Sequence, residues 1–523
     1  MAAKKNNSQI KNVKPMQVNN SNGGSTRRKF IKQLATVAVA AQTAPALGFT
    51  LKKEHDYDKF SNKISKKPNI ILYHSDEFRW DFVCAAGQNP MAFTPNLDSM
   101  YRRGTVFQNF ITNQPLCSPS RSCLFTGQYA TTTGVWKNGP GLKEDAVTLA
   151  TQLTQAGYSA NYIGKWHLAP WDKVEAGAVP KEYRGGFTGL WQASNAPEIS
   201  SHPYRGTFWD NDGKPLNYDG QYRVDFLTDL AEKFLKQKHD KPFFLVLSQL
   251  EPHQQNDLLG FAPPKGYEER FSNPFIPPDL KPYPGDWQYQ IANYYGDVKA
   301  IDESLGRIFK TLKEENLDED TIVIFTSDHG CHFRTRNDEY KRSPHESSIH
   351  VPLMIQGPGF NNRLTVPELV SMIDLAPSIL DSVGVAVPST MQGQSFIPLM
   401  QDSEARASWR NEVLIQISES ETARALRTPE WTYVALSPDS RSGLDSSSLH
   451  YRDYQLYNNR ADPAQLVNMA GRSDVIMPST KTLHFIGERS MKDITEDLRN
   501  RLIERMVEAG EEKPKIDYWP YYP

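Results

Sequence analysis

Cysteine is scarce in this chain: four residues in 523, at Cys84, Cys117, Cys123 and Cys331. They are too few and too scattered for a disulfide framework, and no Cys-x-x-Cys pair offers a zinc site. An excess of charge of either sign is also missing. The 59 basic and 61 acidic side chains leave a formal net charge of −2, which gives no basic surface for a nucleic-acid partner. No apolar stretch supplies the ~20 residues of a stable membrane span, and no internal repeat points to a solenoid. What remains are the apolar (38%) and charged (23%) fractions of a globular protein. The chain is long enough for one large domain and a smaller one.

Residues 1–25 are polar and rich in Asn and Lys. Ser25-Thr26-Arg27-Arg28-Lys29-Phe30-Ile31-Lys32 then precedes a mild apolar run, Leu34 to Phe49, with Ala44-Pro45-Ala46 as a cleavage candidate. This layout resembles a twin-arginine export signal over residues 1–46. The alternative is a basic patch before a membrane anchor, which Gln42 and Pro45 inside a short run disfavour. A charged linker, 47–67, follows. The resemblance implies delivery through the twin-arginine translocase, already folded, to the periplasm or beyond.

The chemistry is organised around Leu116-Cys117-Ser118-Pro119-Ser120-Arg121-Ser122-Cys123-Leu124-Phe125-Thr126-Gly127. A loop of turn formers (Thr112, Asn113, Gln114, Pro115) leads into it. Ser118-Pro119 reads as a helix start, because proline is tolerated in the first turn, where its missing N–H costs nothing. Cys117 then sits at the mouth of a helix N-terminus, among free N–H groups and the positive end of the dipole. Arg121, one turn on, points back to the same spot.

Four short apolar runs read as buried parallel strands of an α/β sheet: Pro68–Tyr73, Tyr158–Ile163, Pro242–Ser248 and Thr321–Thr326. Each delivers polar groups at its carboxyl end, where ligands of open α/β sheets gather. The first is followed by Asp76 and Glu77, adjacent carboxylates that are costly unless something positive meets them; their oxygens suit a hard cation. The second leads to Lys165 and His167, the third to His253, the fourth to Asp328 and His329. A fifth strand, Val351–Ile355, comes after Lys341, Arg342 and His345. Singly, each group has an ordinary reading as a solvated loop, a turn histidine or a basic turn. Their convergence on one sheet edge with Cys117 argues for a site.

Elsewhere, the pattern predicts a helix from Thr94, as cap, to Gly104, another over 146–156, and a long amphipathic one from Ile291 to Leu312. Residues 171–225, rich in Gly, Pro, Trp and Tyr, show no clear period and read as an irregular insertion whose aromatics line a sugar site or, as is more common, simply pack the loop. Leu369–Val383 reads as a helix. Beyond residue 400, short strands at 413–417, 423–427, 432–436 and 454–457 suggest a small antiparallel sheet. A helix capped by Thr495 closes the chain at Ala509.

Cys117-Ser118-Pro119-Ser120-Arg121, continued by Leu124-Phe125-Thr126-Gly127-Gln128-Tyr129, resembles the signature of the type I sulfatases of the alkaline phosphatase superfamily. Gly164-Lys165-Trp166-His167 is similar to the second signature of that family. Ser327-Asp328-His329-Gly330 and Leu456-Tyr457-Asn458…Asp462-Pro463…Asn468 follow in the family's order, across roughly residues 68–470. The resemblance implies an α/β fold with a large mixed, mainly parallel sheet sandwiched by helices in a catalytic domain, 68–400. A smaller C-terminal α+β subdomain on an antiparallel sheet, 401–523, would follow.

It also implies a chemistry. Cys117 would be oxidised to formylglycine by a formylglycine-generating enzyme, and the hydrated aldehyde would be the nucleophile. Asp76, Glu77, Asp328, His329 and the Cys117-derived oxygen would hold Ca²⁺, with Mg²⁺ as the alternative. Glu77 departs from the family's usual Asp-Asp. Arg121 would orient the diol, and Lys165, Lys341 and His345 would meet the substrate. His253 would protonate the leaving sugar oxygen, Asp328 would accept the nucleophile's proton, and His167 would deprotonate the second hydroxyl. Lys341 fits the family spacing better than its neighbour Arg342. The function expected is an exported sulfatase acting on a sulfated carbohydrate. The alternatives are a phosphoester or phosphonate monoester hydrolase, and a catalytically silent binder of sulfated glycans.

Overall fold

The computed structural model describes residues 67–471, 476–478 and 488–519. The expected export signal, and all but the last residue of the linker, lie outside them. Ten strands form the principal sheet: β1 (Asn69–Ser75), β2 (Thr105–Ile111), β3 (Ser159–Lys165), β4 (Trp191–Ser194), β5 (Arg205–Trp209), β6 (Pro215–Asp219), β7 (Phe243–Ser248), β8 (Thr321–Ser327), β9 (Leu353–Gln356) and β10 (Leu364–Ser371). Their spatial order is β10-β2-β9-β8-β1-β7-β3-β4-β5-β6. The central five, β8-β1-β7-β3-β4, run parallel. β9 is antiparallel to both β2 and β8, and β5 is antiparallel to β4 and β6.

The central strands are apolar throughout because both faces are covered. Ile70, Leu72, Phe244, Val246, Ile322 and Ile324 enter one core, together with Leu124 and Phe125 of the Cys117–Thr126 helix. Their alternating neighbours Ile71, Tyr73, Leu245, Leu247, Val323 and Phe325 enter the other, against Tyr294, Val298, Ile301 and Leu305 of the Trp287–Glu314 helix. This is the two-residue period of a sheet sandwiched by helices. A second sheet holds β11 (Val413–Ile417), β12 (Ala423–Arg427), β13 (Trp431–Leu436) and β14 (His450–Asn458) in antiparallel order. After a two-stranded ribbon, β15 (Ile476–Pro478) with β16 (Glu488–Ser490), β17 (Lys515–Asp517) joins its edge parallel to β14. The Met491–Glu508 helix packs Leu498, Leu502 and Met506 into the core that also takes Leu426 and Tyr433.

Several sequence expectations need correction. Residues 171–225 are not an irregular insertion, since β4, β5 and β6 widen the principal sheet. Within 369–383, β10 occupies the chain to Ser371 and the helix starts at Leu375. Thr94 sits before the Pro95–Arg103 helix, yet its hydroxyl donates to Asp98 Oδ1 and accepts from Cys84 N–H, so it ties down the preceding loop rather than capping. The closing helix begins at Met491, and the Thr495 hydroxyl donates to the Met491 carbonyl inside it. Among the described residues, no helix is long and apolar enough to cross a membrane.

Strand direction explains what gathers at one edge. β1, β3, β4, β7 and β8 all finish there. β9 runs the other way, so the chain that precedes it, including Lys341, arrives at that same edge.

Candidate active site

Cys117 opens a helix whose ten residues, Cys117–Thr126, are all buried. The Ser118 N–H at its mouth donates to Asn138 Oδ1 (3.1 Å). The Cys117 Sγ lies 3.3 Å from Lys341 Nζ, 3.4 Å from His329 Nε2 and 3.9 Å from Asp76 Oδ1. Burial pushes this thiol up. The ammonium groups of Lys165 and Lys341, with smaller contributions from the nearby His167 and His253, outweigh that and hold it well below the usual thiol range.

Arg121, fully buried, is the joint of the site. Its NH2 donates to Asp76 Oδ2 (2.9 Å), its Nε to Asp328 Oδ2 (3.1 Å), and its NH1 to the Lys165 carbonyl (3.0 Å) and Ser248 Oγ (2.9 Å). It thereby ties the ends of β1, β3, β7 and β8 together. Lys165 Nζ stands between Asp76 Oδ2 and Glu198 Oε1, 2.8 Å from each. Burial and the Cys117 thiolate raise the Asp76 pKa, but contact with both Lys165 and Arg121 holds this carboxyl well below the usual range. Asp328 is pushed up, by burial first and by Asp76 second.

Two of the three histidines, His329 and His253, have defined roles in the hydrogen bonding. His329 Nδ1 donates to the Gly330 carbonyl (3.0 Å), so Nε2 is the nitrogen that faces Cys117 and, at 3.7 Å each, Asp76 Oδ1 and Asp328 Oδ1. His253 Nδ1 donates to the Gln254 carbonyl (2.6 Å), so its Nε2 accepts from Lys341 Nζ (2.7 Å). Lys341 Nζ also reaches Glu77 Oε2 (3.1 Å). His167 Nδ1 lies 3.3 Å from Glu198 Oε1.

These atoms form two overlapping donor groups, Asp76–Cys117–Asp328–His329 and Asp76–Glu77–His253, each with its ligand atoms within 4.8 Å of one another. A hard divalent cation fits them. The donors are chiefly carboxylate oxygens, and Glu77 Oε1 is buried without a partner. Charge points the same way. Among the described residues, the carboxylates Asp76, Glu77, Asp328 and Glu198 meet the cations Arg121, Lys165 and Lys341. The excess is negative before the thiolate is counted. A divalent cation cancels that excess with the thiolate counted and reverses its sign without it, which opens the pocket to an anionic ester.

The structure thus brings together Asp76, Glu77, Cys117, Arg121, Lys165, His253, Asp328, His329 and Lys341, with His167 attached through Glu198. It does not bring in His345. That imidazole bonds Ser343 Oγ (3.2 Å) and the Tyr457 hydroxyl (3.1 Å), and lines a separate cavity with Arg79, Trp80 and Arg427. Arg342 also turns away, to Glu339 and Glu419. Glu198, Asn138 and Ser248 were not anticipated. Glu198 obeys the strand-end rule, because it follows β4, but β4 itself was not read from the sequence.

A family model for sulfatases matches residues 68–385. The chain belongs to the sulfatase family. A second match, to the family described as N-sulphoglucosamine sulphohydrolase, C-terminal, covers residues 338–506 of this sulfatase. An ulvan-active sulfatase of Formosa agariphila is 28% identical over 479 residues, 87% of this chain and 88% of that one. An endo-4-O-sulfatase of Bacteroides thetaiotaomicron is 28% identical over 470 residues, covering 77% and 88%. In fold, the sulfatase superposes on a solved sulfatase associated with glycosaminoglycan metabolism by Bacteroides thetaiotaomicron with a TM-score of 0.69, at 23% identity, over 85% of this chain and 97% of that one. It also superposes on the phosphonate monoester hydrolase of Agrobacterium radiobacter, with a TM-score of 0.63 at 20% identity over 84% and 96%. The reaction class of the family is sulfuric ester hydrolysis.

Proposed function

We propose that this sulfatase is an exported enzyme that removes sulfate from carbohydrate esters, with matured Cys117 as its nucleophile. The observation that carries the reading is the setting of Cys117: a helix mouth where Lys341, His329 and Asp76 all lie within 3.9 Å of its sulfur. The carbohydrate preference is supported by the relatives named for ulvan and for endo-4-O-sulfate removal. In this reading residues 68–400 form the catalytic unit and 401–523 the smaller one. The enzyme leaves through the twin-arginine translocase, for the periplasm or the outside, after a formylglycine-generating enzyme has acted.

Asp76, Asp328 and His329 would hold the cation, Ca²⁺ in preference to Mg²⁺, with Glu77 Oε1 available to complete the set. A bound cation supplies Lewis-acid polarisation of the sulfate oxygens. The formylglycine hydrate supplies two geminal hydroxyls, one to displace the sugar at sulfur and one whose deprotonation releases sulfate. The chain's own groups do the rest. Lys165 and Lys341 neutralise ester oxygens in a dry pocket, where each charge counts for far more than in water. Arg121 fixes both cation-binding aspartates. Asp328, whose affinity for a proton is raised by burial and Asp76, takes the proton of the attacking hydroxyl. His253 passes a proton to the leaving oxygen through Nε2, the nitrogen that the Gln254 carbonyl does not engage and that takes its proton from the Lys341 ammonium hydrogen-bonded to it. His167, oriented by Glu198, takes the proton of the second hydroxyl.

The test is release of inorganic sulfate by protein co-produced with a formylglycine-generating enzyme, from sulfated oligosaccharides of glycosaminoglycans and ulvan. Phenyl phosphonate monoesters are the control. Sulfate release that is absent in Cys117→Ala is expected. Faster turnover of the phosphonate esters, or glycan binding with no turnover, would overturn the reading.

A further inference from the structure

Glu198 lies on the short Pro197–Ser200 turn of helix just beyond β4 and is only 6% exposed. Its two oxygens differ. Oε1 is engaged by Lys165 Nζ and His167 Nδ1, whereas Oε2 is buried and has no hydrogen-bond partner. A carboxylate oxygen left bare in a protein interior is costly unless a ligand completes it.

A complementary group lies against the His167 ring. Trp171 lies parallel to the imidazole, with ring centroids 6.0 Å apart and planes at 12°, and its indole N–H is likewise buried and unpartnered. The Trp171 backbone N–H donates to the Gly139 carbonyl (2.9 Å), next to the Asn138 that receives the Ser118 N–H at the nucleophile's helix mouth. His167, whose own two nitrogens also lack hydrogen-bond partners, therefore has a carboxylate with a bare acceptor and an indole with a bare donor next to it.

Sulfate alone cannot satisfy both. Its oxygens only accept, so the Glu198 Oε2 repels them. A hydroxyl donates to Oε2 and can accept from an indole N–H. We propose that Glu198 determines specificity: its Oε2 accepts a hydrogen bond from a free hydroxyl on the sugar ring that bears the sulfate ester. This rests on the carbohydrate-sulfate reading above and adds to it that the ring keeps an unsubstituted hydroxyl near the ester. The indole of Trp171 covers the same ring from the His167 side.

The experiment uses matured full-length enzyme, a panel of monosaccharide sulfates, the monodeoxy analogues of whichever sulfate is turned over fastest, and 4-nitrophenyl sulfate as a substrate without hydroxyls. One deoxy analogue should lose roughly 10- to 100-fold in kcat/KM, the range for a hydrogen bond to a charged group. In Glu198→Ala, and less completely in Glu198→Gln, that discrimination should vanish, and the sugar-to-aryl ratio of kcat/KM should fall by the same factor. The ratio cancels whatever both substrates lose through the contacts of Glu198 with Lys165 and His167. Equal loss on sugar and aryl sulfates would overturn the proposal. So would a wild-type enzyme indifferent to every deoxy analogue, a result that needs no variant to fold. Turnover of 4-nitrophenyl sulfate with none of any sugar sulfate would instead refute the carbohydrate reading, and the proposal with it.

Discussion

Replacing Arg121 by methionine keeps most of the stem and removes the guanidinium that joins four strand ends. The side chain is fully buried, as are the carboxylates of Asp76 and Asp328 that it bridges. Asp76 retains Lys165, but Asp328 Oδ2 loses the ion pair given by Arg121 Nε, and Ser248 Oγ and the Lys165 carbonyl lose a donor. Breaking one side of a buried ion pair costs about 3–5 kcal/mol, because the orphaned charge stays desolvated. With ~2.1 cal/mol/K of unfolding entropy per residue, an ordered region of about 450 residues has roughly 0.95 kcal/mol/K, so a loss of ~4 kcal/mol lowers Tm by ~4 °C. Scanning calorimetry of unmatured protein in EDTA reads this without interference from maturation. Arg121→Lys, which restores the charge but not the fork, should fall between the two. Added Ca²⁺ should raise the Tm of Arg121→Met more than that of wild type, since a cation relieves the same excess negative charge. A variant within about 1 °C of wild type in EDTA would refute the idea that Arg121 is the joint of the site.

Three further outcomes follow from particular contacts. In unmatured protein, Lys341→Met should move the Cys117 thiolate transition, read by ultraviolet absorbance against Cys117→Ser, upward, because an ammonium 3.3 Å from the sulfur is gone; an unmoved transition would refute that contact. Burial raises the Glu346 carboxyl, but Arg427 and a hydrogen bond from His350 override it and hold it well below its ordinary 4.5. A carboxyl lowered in the folded state contributes stability that is present above pH 4.5 and lost as pH falls below it, so wild type should lose Tm more steeply than Glu346→Gln on acidification. Gly164→Ala should cost both Tm and at least roughly 10-fold in sulfate release. Gly164 has a φ of +108°, and a Cβ there would lie 1.9 Å from the Ser248 carbonyl oxygen, at the seam of β3 and β7 that Arg121 fastens.

The parallel core was legible because strands buried on both faces leave unbroken apolar runs, and the groups at their carboxyl ends then fall on one edge. β5 and β6 left no such trace. Most of Arg205–Trp209 and Pro215–Asp219 is half-buried or exposed, and four-residue β4 is too short for a period to register. Glu198 was lost with β4, although the rule that found Asp76 and Asp328 applies to it unchanged. β10 mixes exposed Thr365 and Pro367 with buried Val366 and Leu369, so its run was absorbed into the helix that follows. Spacing favoured Lys341 over Arg342, and the backbone supplies the reason. The positive φ of Arg342 (63°) makes the chain turn there, so one side chain enters the site and the next leaves it for Glu339 and Glu419. His345 illustrates the converse: four residues from Lys341 in sequence, it packs on Tyr457 of β14.

The central claim is that Cys117 is the residue converted into the nucleophile. Peptide mass spectrometry of the Cys117 peptide, from full-length protein co-produced with a formylglycine-generating enzyme and assayed in parallel for sulfate release, tests it most directly. Conversion of the thiol to the aldehyde is expected, with sulfate release rising in proportion to the converted fraction. Sulfate release from protein whose Cys117 remains entirely a thiol would contradict it, as would full conversion with no turnover of any sulfate ester.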